Sequence, residues 1–173
     1  MRVEDGCGSA FKFTLPASRQ DEKGGARAMK PLPQVLLVDD NPADVVLARE
    51  ALAGGKHQSR ISNVQDGEEA LAFLHRIGQH TDALRPDLVI LDLNLPKKDG
   101  RAVLAEAKTD KSLRTIPVVV FSTSRSTLDI ARSYELGANC YVHKPGNLED
   151  YFLAVRSIEE FWFGSASLPR EEK

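Results

Sequence analysis

The sequence has few cysteines, little net charge and no long apolar run. Cys7 and Cys140 are the only cysteines among 173 residues, which excludes a disulfide framework and predicts a reducing compartment, the cytoplasm. A formal net charge of −2 gives no electrostatic reason to expect a nucleic-acid partner. No apolar run is long enough to span a bilayer, so no membrane partner is expected. The hydrophobic fraction of 42% is nevertheless sufficient for one sizeable core.

The N-terminal stretch differs in composition from the rest. Residues 1–33 carry glycine and charged side chains without an apolar period, which predicts a disordered extension. Two interpretations stay open: the stretch is a flexible tail, or translation starts at Met29 and the first 28 residues are not expressed. We expect one domain over residues 34–164 and a short C-terminal tail over residues 165–173.

Five short apolar, β-branched runs alternate with longer segments of helical spacing. The runs are residues 35–38, 60–64, 88–91, 118–121 and 140–142. Runs without polar alternation are typical of strands buried on both faces of a parallel sheet. The sequence therefore predicts an α/β fold, a doubly wound five-stranded parallel sheet with helices on both faces. Its ligand site should lie beyond the carboxyl ends of the strands.

Local signals mark where the helices begin and end. Predicted N-caps are Asn41 before Pro42, and the first residues of three capping boxes, Asp66, Ser126 and Asn147. Predicted helix ends are Gly54-Gly55, Gly78 and Gly137.

Polar residues follow the apolar runs directly. They are Asp39 and Asp40 after the first, Asp92 and Asn94 after the third, Ser122 and Thr123 after the fourth, and Lys144 and Pro145 after the fifth. Three carboxylates gathered at one edge of a sheet repel one another unless a cation binds, and oxygen ligands suit Mg²⁺. A carboxylate can attack a phosphoryl group, while a metal, a lysine and a hydroxyl neutralise the charge on the transferring group.

These residues resemble the receiver domain of bacterial two-component response regulators. The matching segments are residues 38–41, 91–100, 121–123 and 141–145, and the resemblance covers residues 33–163. It implies a flavodoxin-like fold and a partner that is a sensor histidine kinase. It also implies that the domain catalyses only its own phosphorylation and dephosphorylation and is not a turnover enzyme.

The resemblance assigns roles around the acidic residues. It implies that Asp92 is the phospho-acceptor and Asp40 the main metal-binding carboxylate. Asp39 would act largely through a metal-bound water, and the backbone carbonyl of Asn94 would supply another metal ligand.

The same resemblance assigns the switch. Ser122 would be the hydroxyl that moves toward the phosphoryl group, Lys144 would pair with that group, and Tyr141 would change rotamer. The family typically has a cis peptide bond before the residue that is Pro145 here. Thr123 departs from the small residue usual in the family, which leaves the dephosphorylation rate open.

A narrower resemblance is to the single-domain regulators that pair with bacterial phytochromes. It is carried by the insertion at residues 75–85 and by segments 96–101, 121–124 and 157–162. It implies a phytochrome-type kinase and a homodimer through the fourth helix, the fifth strand and the fifth helix.

The last helix has two apolar stripes. The stripe spaced for the core is Leu148, Phe152, Val155, Ile158 or Glu159, and Trp162, and the second is Tyr151, Ala154, Ile158, Phe161 and Phe163. A helix that is apolar on two sides predicts a partner, and Tyr151, Phe161 and Trp162 are the expected interface residues. Packing of both stripes inside the chain is the alternative.

Two other functions are alternatives to a phosphorylation switch. A phosphorylation-independent interaction module would leave the acidic cluster without a purpose. An aspartyl phosphatase usually has an acid two residues after its nucleophile, and Asn94 at that position cannot act as a general acid. His143 is interpreted as a partly exposed strand residue, because neutral imidazole is not the ligand that Mg²⁺ prefers.

Overall fold

Five parallel strands form one sheet in the computed structural model, which describes residues 31–169. Their order is β2-β1-β3-β4-β5. The strands are β1 (Gln34–Val38), β2 (Arg60–Val64), β3 (Leu88–Leu91), β4 (Val118–Ser122) and β5 (Cys140–His143). The α/β fold is thus confirmed, with strand boundaries within one residue of those predicted. The predicted extension lies, apart from residues 31–33, outside the described residues.

Five α-helices connect and follow the strands. They are α1 (Pro42–Ala53), α2 (Gly67–His75), α3 (Gly100–Thr109), α4 (Thr127–Glu135) and α5 (Leu148–Glu159), with a 3₁₀ helix at Gly78–His80 and a π-helix at Glu160–Ser165. The four predicted N-caps are confirmed, since Asn41, Asp66, Ser126 and Asn147 each accept a hydrogen bond from a backbone N–H of the first turn. No helix in residues 31–169 has the length and apolarity needed to cross a membrane.

The helix ends agree with the sequence at two of three places. Gly54 caps α1, and Gly137 follows α4 with a φ of 95°. The prediction that Gly78 ends the second helix is wrong, because α2 ends at His75 and Arg76 adopts the left-handed backbone at φ 56°. Backbone bonds from Arg76 to Phe73 and from Ile77 to Ala72 close the helix in a Schellman motif before the glycine is reached.

The sheet is covered on both faces by apolar side chains. On one face, Leu36, Val38, Val89, Leu91 and Val120 pack with Leu71, Leu74, Val103 and Leu104 of α2 and α3. On the other, Val35, Leu37, Leu88, Ile90 and Phe121 pack with Val45 and Leu52 of α1 and Tyr151, Val155 and Ile158 of α5. Each such buried side chain contributes roughly 1.5–3 kcal/mol, so the core can support charge repulsion at the sheet edge.

The buried face of α5 differs from both predicted apolar stripes. Val155 and Ile158 are buried as expected, but Leu148 is 58% exposed and Tyr151 only 3%. Tyr151 therefore lies in the core and not at the surface interface that was predicted. Its ring packs on Phe121, and its hydroxyl donates a hydrogen bond to the backbone carbonyl of Asp44 in α1. Phe161 is exposed and Trp162 half-buried.

Candidate functional site

The carboxyl ends of β1, β3 and β5 bring two acids and a lysine together. Lys144 Nζ lies 2.6 Å from Asp92 Oδ2 and 2.7 Å from Asp39 Oδ2. The backbone holds all three residues in place, since Asp39, Asp92 and Lys144 donate their N–H groups to Val64, Val38 and Ser122. This arrangement places the residues on rigid strand ends, where their geometry is well defined.

An acidic cluster forms beside the lysine. Carboxylate oxygens of Asp39, Asp40 and Asp92 lie within 4.8 Å of one another, with Asp40 exposed and the other two buried. Burial raises the pKa of Asp39, although the charge of Lys144 opposes that shift. Oxygen donors of this number and charge fit a hard divalent cation.

Lys144 is the buried counter-charge of the cluster. Burial lowers the pKa of this ammonium, but Asp39 and Asp92 together raise it above the usual value. The ammonium also lies 5.9 Å from the centroid of the Phe121 ring, a contact compatible with a cation–π interaction. Lys144 therefore stays charged and can stabilise added negative charge at Asp92.

Asp44 also belongs to the site, and the sequence interpretation missed it. Its Oδ2 lies 2.9 Å from Lys144 Nζ, and its backbone carbonyl accepts a 3.0 Å hydrogen bond from the hydroxyl of Tyr151. An acid in the first turn of a helix is ordinarily explained by the helix dipole. The available signal was the position of Asp44 in the first turn of α1, four residues after Asp40.

The predicted switch residues lie on the adjacent strands β4 and β5. Ser122 is fully buried, and its Oγ accepts a long 3.4 Å contact from the Ser124 N–H. The Tyr141 hydroxyl donates to the Ser124 carbonyl at 2.9 Å. Ser122 and Tyr141 are thus joined through one loop residue, which allows movement of one to affect the other.

The loop after β3 approaches its neighbours closely. A Cβ at Gly100 would come within 2.2 Å of the Asp92 carbonyl, and one at Gly67 within 2.1 Å of the Lys98 carbonyl. Only glycine fits these two positions. The Asn94 N–H donates to Asp92 Oδ1 at 3.2 Å, while the role of its carbonyl as a metal ligand stays a prediction.

Two further expectations concern β5 and its end. Within residues 31–169 no peptide bond is cis, so the prediction of a cis bond before Pro145 is wrong. The trans isomer is the more stable one even before proline. His143 is half-buried on β5, with its Nε2 2.9 Å from Arg125 Nε and 3.1 Å from the Thr123 carbonyl, as the sequence interpretation expected for a strand residue.

Comparison with known proteins shows extensive similarity. Residues 35–156 match a family model described as the response regulator receiver domain. Response regulator Rcp1 of Synechocystis sp. is 47% identical over 135 residues, which cover 78% of this chain and 92% of that protein.

Solved structures agree with this result. The phosphorylated cyanobacterial phytochrome response regulator RcpA has a TM-score of 0.79 and 51% identity, covering 81% of this chain and all 100% of that one. The Mn²⁺-bound form of Rcp1 has a TM-score of 0.77 and 46% identity over 80% of this chain and 99% of that one. The expected resemblance to regulators associated with phytochromes is therefore confirmed.

Proposed function

The chain belongs to the response regulator receiver family, and from that premise we propose that Asp92 accepts a phosphoryl group from a histidine kinase. The observation that carries this proposal is the 2.6 Å contact between Asp92 and the buried ammonium of Lys144, inside a cluster of three carboxylates. The related protein RcpA has been solved in phosphorylated form. The domain would act on itself and would turn over no free substrate.

The transfer step is a displacement at phosphorus. A carboxylate oxygen of Asp92 forms a bond to the phosphorus, the phosphorus–nitrogen bond of the kinase phosphohistidine breaks, and the leaving imidazole keeps the electron pair and takes up a proton. The Lys144 ammonium and the Ser122 hydroxyl stabilise the charge on the phosphoryl oxygens.

Mg²⁺ is the proposed cofactor. Asp39, Asp40, Asp92 and the backbone carbonyl of Asn94 would hold it, and it would neutralise phosphoryl charge when bound. The acidic cluster supports this proposal, and the relative Rcp1 has been solved with Mn²⁺.

The output is a changed protein surface. Movement of Ser122 toward the phosphoryl group would pull on Ser124 and, through it, on Tyr141. The surface beside them exposes apolar side chains on α4 and α5, including Leu128, Leu148 and Leu153. We assign this surface of α4, β5 and α5 to a homodimer, because it exposes apolar side chains. We assign the kinase to the phytochrome type, in the cytoplasm, because the similar protein RcpA is a cyanobacterial phytochrome response regulator.

Intact-mass measurement tests the phosphorylation. With Mg²⁺ and acetyl phosphate, the wild type is expected to gain the mass of one phosphoryl group, and Asp92→Asn none. Asp82→Asn, which changes an exposed carboxylate on the insertion before β3, serves as the matched control and should be labelled like the wild type. An unlabelled wild type, or equal labelling of Asp92→Asn, would contradict the proposal. Equal partner binding with and without donor would favour the phosphorylation-independent module instead.

A further inference from the structure

All three N–H donors of the Lys144 ammonium are matched by carboxylates of the site. An ammonium offers three donors, and Lys144 Nζ contacts three carboxylates, Asp92 at 2.6 Å, Asp39 at 2.7 Å and Asp44 at 2.9 Å. A phosphoryl group on Asp92 would need at least one of these donors. One of the three contacts must therefore weaken when the site is phosphorylated.

Asp44 differs from the other two acids. Asp39 and Asp92 belong to the acidic cluster that fits a cation, whereas Asp44 does not. The side chain of Asp44 is 21% exposed, and those of Asp39 and Asp92 only 2% and 8%. Its contact with Lys144 is also the longest of the three. Asp92 loses its negative charge when it forms the acyl phosphate and passes its donor to the phosphoryl group. Of the two acids that stay charged, Asp44 is the one whose bond to the ammonium can be exchanged with the least disturbance of the remaining site.

The backbone of Asp44 is nevertheless fixed. Its carbonyl accepts the Tyr151 hydroxyl at 3.0 Å, and the Tyr151 ring packs edge-on against Phe121, with centroids 5.2 Å apart. Phe121 in turn faces the Lys144 ammonium. The Asn41 N–H, which an acid at this helix position often binds, is already taken by Asp39 Oδ1. The carboxylate of Asp44 is therefore available to Lys144 and is held close to it.

We propose that Asp44 is a positioning residue that competes with the phosphoryl group for the Lys144 ammonium and so lowers the affinity of the site for phosphoryl anions. The inference rests on the proposed phosphorylation of Asp92. Two charge effects act in the same direction: Asp44 occupies one donor of Lys144, and its own negative charge repels the incoming anion across the ammonium. Removing that charge frees the donor and removes the repulsion.

Beryllium fluoride, which mimics a phosphoryl group on a carboxylate, is a suitable probe. Its dissociation constant in the presence of Mg²⁺ can be measured by fluorine NMR for the full chain. We expect the dissociation constant of beryllium fluoride to be about five-fold lower for Asp44→Asn than for the wild type. A factor of this size corresponds to the loss of one partly exposed charge interaction. The acetyl phosphate concentration that gives half the maximal labelling rate should fall by a similar factor. Asp44→Glu, which keeps the charge, should stay close to the wild type.

Asp150→Asn is the matched control. Asp150 occupies the same third position of α5 that Asp44 occupies in α1, and its carboxylate bonds to Asn147. Its substitution removes one charge from a helix start without touching Lys144, and affinity should not change. If the wild type binds beryllium fluoride, unchanged or weaker binding by Asp44→Asn would overturn this inference alone. An equal gain in affinity in Asp150→Asn would also overturn it alone. A wild type that neither binds the probe nor accepts phosphate would overturn both this inference and the proposed function.

Discussion

Arg101 in α3 and Asp129 in α4 form a 2.7 Å ion pair that anchors the loop after β4. Asp129 also accepts the hydroxyl of Ser124 at 2.6 Å. The Ser124 bond and the charge of Arg101 hold the pKa of Asp129 below its usual value. Since Ser124 contacts both Ser122 and Tyr141, this ion pair restrains the loop that joins the two switch residues.

Loss of the ion pair is expected to loosen that loop. In Arg101→Gln, backbone amides of residues 123–126 should exchange hydrogen several-fold faster, because Asp129 no longer has a fixed partner. Hydrogen-exchange mass spectrometry measures this directly. Arg101 also bonds to Asp99, so Asp129→Asn provides a second route to the same result.

Arg132→Gln is the control for this prediction. Its ion pair with Glu135, at 3.0 Å, lies entirely within α4. Exchange in residues 123–126 should match the wild type in this variant. Equal acceleration in Arg101→Gln and Arg132→Gln would show that the Arg101–Asp129 pair does not restrain the loop.

The buried charge of Asp39 should cost stability when no divalent cation is bound. Burial raises the folded-state pKa of Asp39 above the unfolded value of 3.8. Protonation of Asp39 therefore stabilises the folded state: the full contribution is present below pH 3.8 and is lost as pH rises through the folded-state pKa. We therefore expect Asp39→Asn to raise the free energy of unfolding at neutral pH in the presence of a chelator. The difference from wild type should shrink on acidification.

Urea unfolding with and without Mg²⁺ checks this expectation. Added Mg²⁺ should stabilise the wild type more than Asp39→Asn, because a ligand stabilises the state that binds it. Asp82→Asn, with its exposed carboxylate, should show neither effect. A loss of stability in Asp39→Asn with chelator at neutral pH would mean that the ion pair with Lys144 outweighs the cost of burial.

The main parts of the site could be predicted because each signal is local. An apolar run followed by a polar residue identifies the end of a strand, and parallel strands place all their carboxyl ends at one edge. Asp39, Asp92 and Lys144 were found in this way, although 105 residues separate the first from the last. Their meeting required only that the strands run parallel in one sheet, which the alternation of strands and helices predicted. The order β2-β1-β3-β4-β5 came from the structure.

The missed features depend on how helices are rotated and packed. Asp44 reaches Lys144, and Tyr151 enters the core, because of the rotation of α1 and α5 about their axes. Periodicity in α5 allowed two stripes and could not choose between them, since Leu148 and Tyr151 are both apolar enough to face inward. The end of α2 at His75 likewise follows from the left-handed backbone of Arg76 and the backbone bonds that close the helix there, and no residue type in the sequence predicts it.

Because of Lys108, the free energy of unfolding is expected to increase as the solution becomes alkaline. Burial lowers its pKa to about 8 from 10.5, so between these values the unfolded chain binds more protons than the folded one and stability rises with pH. Its Nζ contacts the carbonyls of Arg114 and Ile116 and Asn139 Oδ1. Urea unfolding between about pH 7 and pH 10 should show this rise in the wild type and a smaller rise in Lys108→Met. The exposed Lys111→Met should behave like the wild type, and parallel curves for all three would contradict the prediction.

The proposed dimer surface can be tested at Leu153, an exposed apolar side chain near the middle of α5. A charged residue there would have to lose its hydration in a dimer through α4, β5 and α5, so Leu153→Asp should weaken association by at least about ten-fold. Val46→Asp is the matched control, because Val46 is also an exposed apolar residue but lies on α1, outside the proposed surface. Sedimentation equilibrium of both variants, with and without acetyl phosphate and Mg²⁺, measures the change. Weaker association in Val46→Asp but not in Leu153→Asp would place the interface on another face of the domain.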